Sequence, residues 1–227
     1  MTASAFQEAG QTLFRLVSLQ RSPGELSRLI KFLSQDELQR GKRLLDPKKR
    51  EDFHTGRGLL REVLAEVTRE EPGEIRIAEG DHGKPYLPYH QGAKAICFNV
   101  SHSGSFLLVA VSVERHVGVD LELVREDLEF HPMAKRYFST REQEELFSLP
   151  PAEQLSAFYR CWTRKEAYLK GTGSGFSQPS TCFDVSLLPG QPVALLGHRV
   201  SPDEVGRWSI DDLPVPQGYC AAVAVEK

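Results

Sequence analysis

Gly104-Ser105-Phe106-Leu107-Leu108-Val109-Ala110-Val111-Ser112 and Gly218-Tyr219-Cys220-Ala221-Ala222-Val223-Ala224-Val225-Glu226 share one outline, a glycine followed by an apolar run of strand length. They stand about half of the 227-residue chain apart. This spacing suggests an α+β fold built from two similar halves, 1–115 and 116–227. Just upstream of the first segment, residues 95–101 have strand character, and a Ser-His-Ser-Gly connection to 106–113 predicts a hairpin. Just downstream, residues 117–122 alternate as a third strand. Helical periodicity follows over 140–147 and 152–170, and the chain beyond reads as strands and turns up to the second segment.

Towards the N-terminus the pattern is helical. Leu26, Leu29, Ile30 and Leu33 fall at helical spacing, Ser34 is a plausible cap for 34–45, and Asp46-Pro47 interrupts the pattern before a helix over 50–67. Glu71-Pro72-Gly73 is a turn, Ile75-Arg76-Ile77 alternates like a short strand, and Gly83-Lys84-Pro85 is a rigid turn.

Composition narrows the function classes. With 28 Lys+Arg against 31 Asp+Glu the formal net charge is -3, so a nucleic-acid binder working by bulk positive charge is excluded. The longest apolar run, 219–225, falls far short of a membrane span, and the first residues lack a basic start with an apolar core. A cytoplasmic location is expected, with no membrane and no nucleic-acid partner. Cys97, Cys161, Cys182 and Cys220 form no CxxC pair and read as free thiols of a reducing compartment.

Chemistry concentrates in two places. In Val117-Gly118-Val119-Asp120-Leu121-Glu122, side-chain alternation puts Asp120 and Glu122 on one strand face, roughly 6.6 Å apart at the Cα atoms, beside a glycine that leaves room. The plain reading is a solvated polar face. Against it stands the helix over 152–170, where Glu166 falls amid Leu155, Phe158, Tyr159, Trp162 and Leu169, with Lys170 one turn on. A carboxylate on an apolar face is costly unless paired or bound to metal. Asp120, Glu122 and Glu166 together supply hard oxygen donors suited to Mg²⁺ or Mn²⁺, and magnesium commonly completes its shell with substrate phosphates. Arg57 and Arg61, one helical turn apart, and Lys84 on its turn are candidate phosphate ligands. Ser101 and His102 sit at a strand end without a nucleophile elbow, so phosphate binding suits them better than hydrolase chemistry. Gly171-Thr172-Gly173-Ser174-Gly175 follows a helix rather than opening one and reads as a C-terminal cap and loop.

Gly83-Lys84-Pro85, Phe98-Asn99-Val100-Ser101-His102-Ser103, Val117-Gly118-Val119-Asp120-Leu121-Glu122, Phe138-Ser139-Thr140-Arg141-Glu142 and Trp162-Thr163-Arg164-Lys165-Glu166-Ala167-Tyr168-Leu169-Lys170, in that order, closely resemble the Sfp-type 4'-phosphopantetheinyl transferases. The resemblance implies two α+β halves related by a pseudo-twofold axis, with the active site in the cleft between them. It implies transfer of 4'-phosphopantetheine from coenzyme A to a serine of an apo acyl or peptidyl carrier domain, with release of 3',5'-ADP. It also implies Mg²⁺ held by Asp120, Glu122 and Glu166, with Glu166 as base and Lys170 beside the pyrophosphate. Lys84, Ser101 and His102 match residues holding the nucleotide and phosphates of coenzyme A, and Arg57 and Arg61 fit the 3'-phosphate best by position. The cleft being internal, a monomer with a pseudo-dimeric fold is expected. Phe130, Met133, Lys135 and Arg136 are candidates for docking an acidic carrier. Two other readings are a non-catalytic coenzyme A or nucleotide-binding module and a metal-dependent phosphodiesterase that gives the phosphopantetheine to water.

Overall fold

The expected hairpin around Gly104 forms, with its second strand, the centre of the N-terminal sheet. The computed structural model describes residues 6–9, 12–80, 83–88, 94–175 and 178–227. In chain order the elements are β1 (Gln7–Ala9), β2 (Thr12–Ser18), α1 (Pro23–Ile30), α2 (Gln35–Lys42), α3 (Pro47–Thr68), β3 (Ala78–Glu79), β4 (Pro85–Tyr86), β5 (Ile96–Ser103), β6 (Phe106–Val113) and β7 (Val117–Leu123). They continue as α4 (Phe130–Tyr137), α5 (Thr140–Ser148), α6 (Pro151–Thr172), β8 (Phe183–Val185), β9 (Leu195–His198), α7 (Glu204–Arg207), β10 (Trp208–Asp212) and β11 (Tyr219–Glu226).

Two larger antiparallel sheets result, ordered β1-β2-β6-β5 and β10-β11-β7, beside the two-stranded pairs β3-β4 and β8-β9. The two look-alike segments are β6 and β11. Each is the strand flanked on both sides, β6 by β2 and β5, β11 by β7 and β10. Both sheets arise from the same succession, a strand, a 22-residue helix and then two antiparallel strands.

Alternation along these strands builds the layers. Leu107, Val109 and Val111 of β6 face α1 and α3, meeting Leu29, Leu60, Val63 and Leu64. Leu108 and Ala110 face the other way and join Val117, Val119 and Leu121 of β7 with Ala221, Val223 and Val225 of β11 in a core between the sheets. On the far side of β11, Ala222 and Ala224 pack with Ala157, Phe158 and Tyr168 of α6.

Several local expectations are corrected. The N-terminal third is not wholly helical: β1 and β2 precede α1, with Phe14 serving the core between the sheets and Val17 the helix side, so that both faces of β2 are covered and its Arg15 is paired with Glu66. Ile75-Arg76-Ile77 is irregular chain with Ile75 buried, and the strand pairing begins at Ala78 opposite Tyr86. Asp46-Pro47 both separates two helices and starts the second, with the Asp46 carboxylate accepting the Lys48 and Lys49 N–H groups and Pro47 in the first turn. Residues 130–137, assigned no element from sequence, form α4.

Helix α6 and β7 pack backbone against backbone. A Cβ on Gly118 would lie 2.1 Å from the Ala167 carbonyl oxygen and 2.2 Å from the Gly171 nitrogen, both backbone atoms of α6. Gly118→Ala should therefore cost about 3 kcal/mol, the scale of overpacking against backbone that cannot swing aside. Gly24→Ala is the control, since nothing lies within 4 Å of the place a Cβ would take there. Urea denaturation of the two variants checks this, and equal midpoints would refute the close-approach argument.

Candidate active site

The seam between the sheets is made by side chains rather than by a backbone ladder. Alternate residues of β5 reach towards β7. Asn99 Oδ1 accepts the Val119 N–H at 3.0 Å, Ser101 Oγ the Leu121 N–H at 3.2 Å, and Ser103 Oγ the Leu123 N–H at 3.0 Å. The same serines donate to the carboxylates of β7, Ser101 to Asp120 Oδ1 and Ser103 to Glu122 Oε2, both at 3.1 Å. Ser101 is thus fixed from two sides. His102 points to the opposite face of β5 and is exposed.

Helix α6 is anchored from behind. Arg164 pairs with Asp212, at 2.8 and 2.6 Å, and donates to the Ser186 carbonyl. Lys165 Nζ sits 2.7 Å from both oxygens of Glu142 and 2.8 Å from the Phe183 carbonyl. Glu142, fully buried, also accepts the Ser139 and Val185 N–H groups. It is the third residue of a capping box opened by Ser139. The sequence assigns Glu142 no role; the structure makes it the pin between α5, α6 and β8.

With Arg164 and Lys165 held behind, Glu166 and Lys170 face a cleft of about 480 Å³. Lys84, Asn99 and Val100 line its other wall, and Arg136 and Gln178 stand at its border. Lys170 Nζ lies 2.6 Å from Asp120 Oδ1 and 3.0 Å from Ser101 Oγ. Asp120 Oδ2 is buried with no hydrogen-bond partner. Burial raises the pKa of Asp120 against the pull of Lys170. Burial and then the Asp120 charge raise those of Glu122 and Glu166. Three carboxylates thus share one lysine. Among the described residues no three His, Cys, Asp or Glu side chains close round a common point, yet the orphaned Asp120 oxygen and the surplus negative charge are what a hard divalent cation satisfies. Asp120, Glu122 and Glu166 therefore fit such an ion in chemistry.

Lys84 Nζ donates to the Gly171 carbonyl at 2.8 Å and the Val117 carbonyl at 3.3 Å, clamping the end of α6 to the start of β7. Burial lowers its pKa to about 8. Gly173 caps α6 with φ of 70°, and the glycine-rich stretch is the cap and loop expected from its place after a helix.

Arg57 and Arg61 are not brought to this cleft. Both pair with Glu37, at 2.6 and 2.8 Å, and Arg61, 3% exposed, also donates to the Pro72 and Ile75 carbonyls. Arg61 binds α2, α3 and the turn after them into one unit. Of the docking candidates, Phe130 is core, its ring 5.3 Å from that of Phe158. Lys135 is exposed, and half-buried Met133 borders a depression beside Glu122 with Leu123, Leu128 and Trp162. The helical wheel places Glu166 at the centre of an apolar face. In the fold Phe158, Tyr159 and Leu169 of that face are buried while Leu155, Trp162 and Glu166 are only half-buried, so Glu166 stands at the border of the packed face.

A carboxylate cluster bridged by a lysine, beside a cleft lined by Lys84, Glu166 and Lys170, has the makings of a phosphoryl-transfer centre, and comparison with known proteins agrees. Residues 116–224 match the 4'-phosphopantetheinyl transferase superfamily, and residues 19–114 match the 4'-phosphopantetheinyl transferase N-terminal family. The chain is 38% identical over 210 residues to 4'-phosphopantetheinyl transferase HetI of Nostoc sp., covering 92% of this chain and 85% of that one. It is 32% identical over 205 residues to 4'-phosphopantetheinyl transferase Sfp of Bacillus subtilis, covering 84% and 86%. To the L-aminoadipate-semialdehyde dehydrogenase-phosphopantetheinyl transferase of Rattus norvegicus it is 29% identical over 223 residues, covering 91% and 71%. The chain belongs to the 4'-phosphopantetheinyl transferase family and is an enzyme of that class. Among the described residues no helix is long and apolar enough to cross a membrane.

The two buried carboxylate systems should respond oppositely to neutralisation. A raised carboxyl pKa means that the folded state holds its proton more tightly than the unfolded chain. Its stabilising contribution is present at acid pH and is lost as pH rises from the ordinary values, 3.8 for Asp120 and 4.5 for Glu166, through the raised ones. At neutral pH and without added metal, Glu166→Gln should raise Tm by roughly 2–4 °C, the scale of about 1 kcal/mol for a chain of this length. Glu142→Gln strands Lys165 and should cost about 3–5 kcal/mol. Thermal scans of both in EDTA test the pair, and a lower Tm for Glu166→Gln would contradict the surplus-charge reading.

Proposed function

We propose that the chain transfers 4'-phosphopantetheine from coenzyme A to a serine hydroxyl of an apo carrier domain, leaving 3',5'-ADP. The reaction takes place in the cleft between halves 1–115 and 116–227, related by a pseudo-twofold axis. The observation that carries the reading is the set Asp120, Glu122 and Glu166, with a buried unpartnered oxygen on Asp120 and a single lysine beside it. Mg²⁺, or Mn²⁺, held by these three would neutralise the pyrophosphate and orient it for in-line attack.

The chain's own groups do the rest. Glu166, its pKa raised by burial, is suited to take the proton from the carrier serine as its oxygen attacks the β-phosphorus. The bond from that phosphorus to the bridging oxygen breaks, and the electron pair leaves on 3',5'-ADP. Lys170, held by Asp120 and Ser101, stands where it can meet the charge developing on the leaving phosphate. Lys84 faces the same cleft from the other wall, and exposed His102 stands on the strand face it shares with Val100, for the nucleotide end of the donor. For the acceptor, the depression bordered by Arg125, Leu128, Met133 and Trp162 offers a cation beside apolar side chains, which suits an acidic carrier surface, and Lys135 is a further exposed cation on the same helix as Met133.

Incubating the protein with apo carrier domains, coenzyme A and Mg²⁺ should add one phosphopantetheine to a carrier, read by intact mass, and EDTA should abolish the gain. Glu166→Ala should lose turnover with the fold retained by circular dichroism. Coenzyme A cleaved without carrier loading would overturn the transferase reading in favour of a hydrolase.

The Lys84 pKa gives a second check. Only the ammonium attracts phosphate, so with a pKa near 8 its charge is lost as pH rises through that value. Affinity for coenzyme A, titrated calorimetrically, should weaken above pH 8 in the wild type. Lys84→Arg, charged throughout, should flatten that slope. An identical pH profile in both proteins would remove Lys84 from the donor site.

A further inference from the structure

Three side chains of β5 stand in one row towards β7, and two of them complete the same pair of bonds. Ser103 Oγ accepts the Leu123 N–H and donates to Glu122, and Ser101 Oγ accepts the Leu121 N–H and donates to Asp120. Asn99 begins the same pattern, with Oδ1 accepting the Val119 N–H at 3.0 Å. By this register its donor should meet the side chain of residue 118. That residue is Gly118, and no side chain can stand there, because a Cβ would lie 2.1 Å from the Ala167 carbonyl oxygen. The row therefore has a donor at its third place and no carboxylate to receive it.

The orientation of the Asn99 amide is fixed. The Val119 N–H requires an oxygen, so the amide nitrogen is turned the other way. Asn99 is 3% exposed, and its Nδ2 group donates to no acceptor among the described residues. The nitrogen is not sealed in the core, for Asn99 lines the wall of the cleft beside Val100. A buried amide with unused N–H donors on a cavity wall is costly until a ligand supplies the acceptor.

The charges on either side select that acceptor. Two residues further along β5, Ser101 Oγ accepts from Lys170 Nζ at 3.0 Å. Two residues before Val119 on β7, the Val117 carbonyl accepts from Lys84 Nζ at 3.3 Å. Along the seam Asn99 thus comes between the contacts of the two cleft lysines, where an anionic oxygen is the favoured acceptor. Lys170 marks the reacting end, beside Asp120, and Lys84 the nucleotide end. In the donor, the group between the scissile bond and the nucleoside is the 5'-phosphate that leaves with 3',5'-ADP.

We propose that Asn99 is a donor-binding residue whose amide N–H groups hold the 5'-phosphate of the leaving 3',5'-ADP, a phosphate oxygen taking the place that the carboxylates of β7 take for Ser101 and Ser103. The inference rests on coenzyme A being the donor, and the test separates the two. A neutral amide orients the phosphate without adding charge to the cleft. Its hydrogen bond strengthens as negative charge builds on the leaving phosphate, so it favours the transition state over the bound donor.

The probes are 3',5'-ADP and adenosine 3'-phosphate, which lacks the 5'-phosphate, each titrated calorimetrically with Mg²⁺ against the full-length protein. Asn99→Ser removes the amide and leaves an oxygen for the Val119 N–H, as Ser101 and Ser103 supply one for theirs. It should bind 3',5'-ADP about tenfold more weakly than the wild type, the scale of one hydrogen bond to a charged group. Its affinity for adenosine 3'-phosphate should be nearly that of the wild type. Asn99→Asp, equal in length and with the seam acceptor in place, should show the same selective loss. A disturbed seam would weaken both ligands alike, and that result, or unchanged affinity for 3',5'-ADP, would overturn the proposal. Failure of the wild type to bind 3',5'-ADP and coenzyme A would instead overturn the donor reading.

Discussion

Asn99, Ser101 and Ser103 accept the N–H groups of Val119, Leu121 and Leu123, and everything at the site hangs on this contact between β5 and β7. A backbone ladder across the seam would have left the side chains of both strands to alternate between the two faces of a continuous sheet. Using side chains instead sets the two strands at a spacing that admits polar groups between them. It also points the serine hydroxyl protons at Asp120 and Glu122. The seam is therefore a structural joint and the floor of an acidic site at once, and polar residues on β5 cannot be exchanged for apolar ones without losing both.

Helix α6 solves a related problem on the other side. It presents Glu166 and Lys170 to the cleft at a fixed depth, and the close approach at Gly118 and the buried pairs of Arg164 and Lys165 set that depth. The two sets of charge differ in kind. Glu142 and Lys165 satisfy each other and are joined by backbone donors and an acceptor, so burial is compensated. Asp120, Glu122 and Glu166 are left with more negative charge than Lys170 balances. A fold tolerates such a surplus where a ligand makes it good, and this separates the structural carboxylate on α5 from the cluster on β7 and α6.

Much of this was legible in the sequence because it depends on local pattern. The alternation in 117–122 gave the common face of Asp120 and Glu122, and the glycines at 104 and 218 marked the two related strands; the room read beside Gly118 is instead taken up by the backbone of α6. The capping box Ser139-x-x-Glu142 was equally readable, and would have assigned Glu142 to a helix start. What was hidden depends on contacts distant in the chain. Nothing near Arg61 announces that Glu37 and two carbonyls from the following turn will claim it. β2 escaped notice since both of its faces are buried, one by each of two cores, which removes the polar alternation that identifies a strand.

The side chains gathered at the seam and the cleft come from both sides of residue 115. Lys84, Asn99, Ser101 and Ser103 come from the first half, and Asp120, Glu122, Glu166 and Lys170 from the second. The family matches meet at the same place, one ending at residue 114 and the other beginning at 116. Each half repeats the succession of strand, long helix and antiparallel strand pair, yet their contributions to the cleft are unequal: hydroxyls, an amide and one cation from the first, carboxylates and the second lysine from the second. β10, which stands beside β11 as β5 stands beside β6, does not match the row of polar side chains that β5 offers to β7: its Asp212 is paired with Arg164 of α6. The unlike side chains of the two facing strands, β5 and β7, thus supply the chemistry.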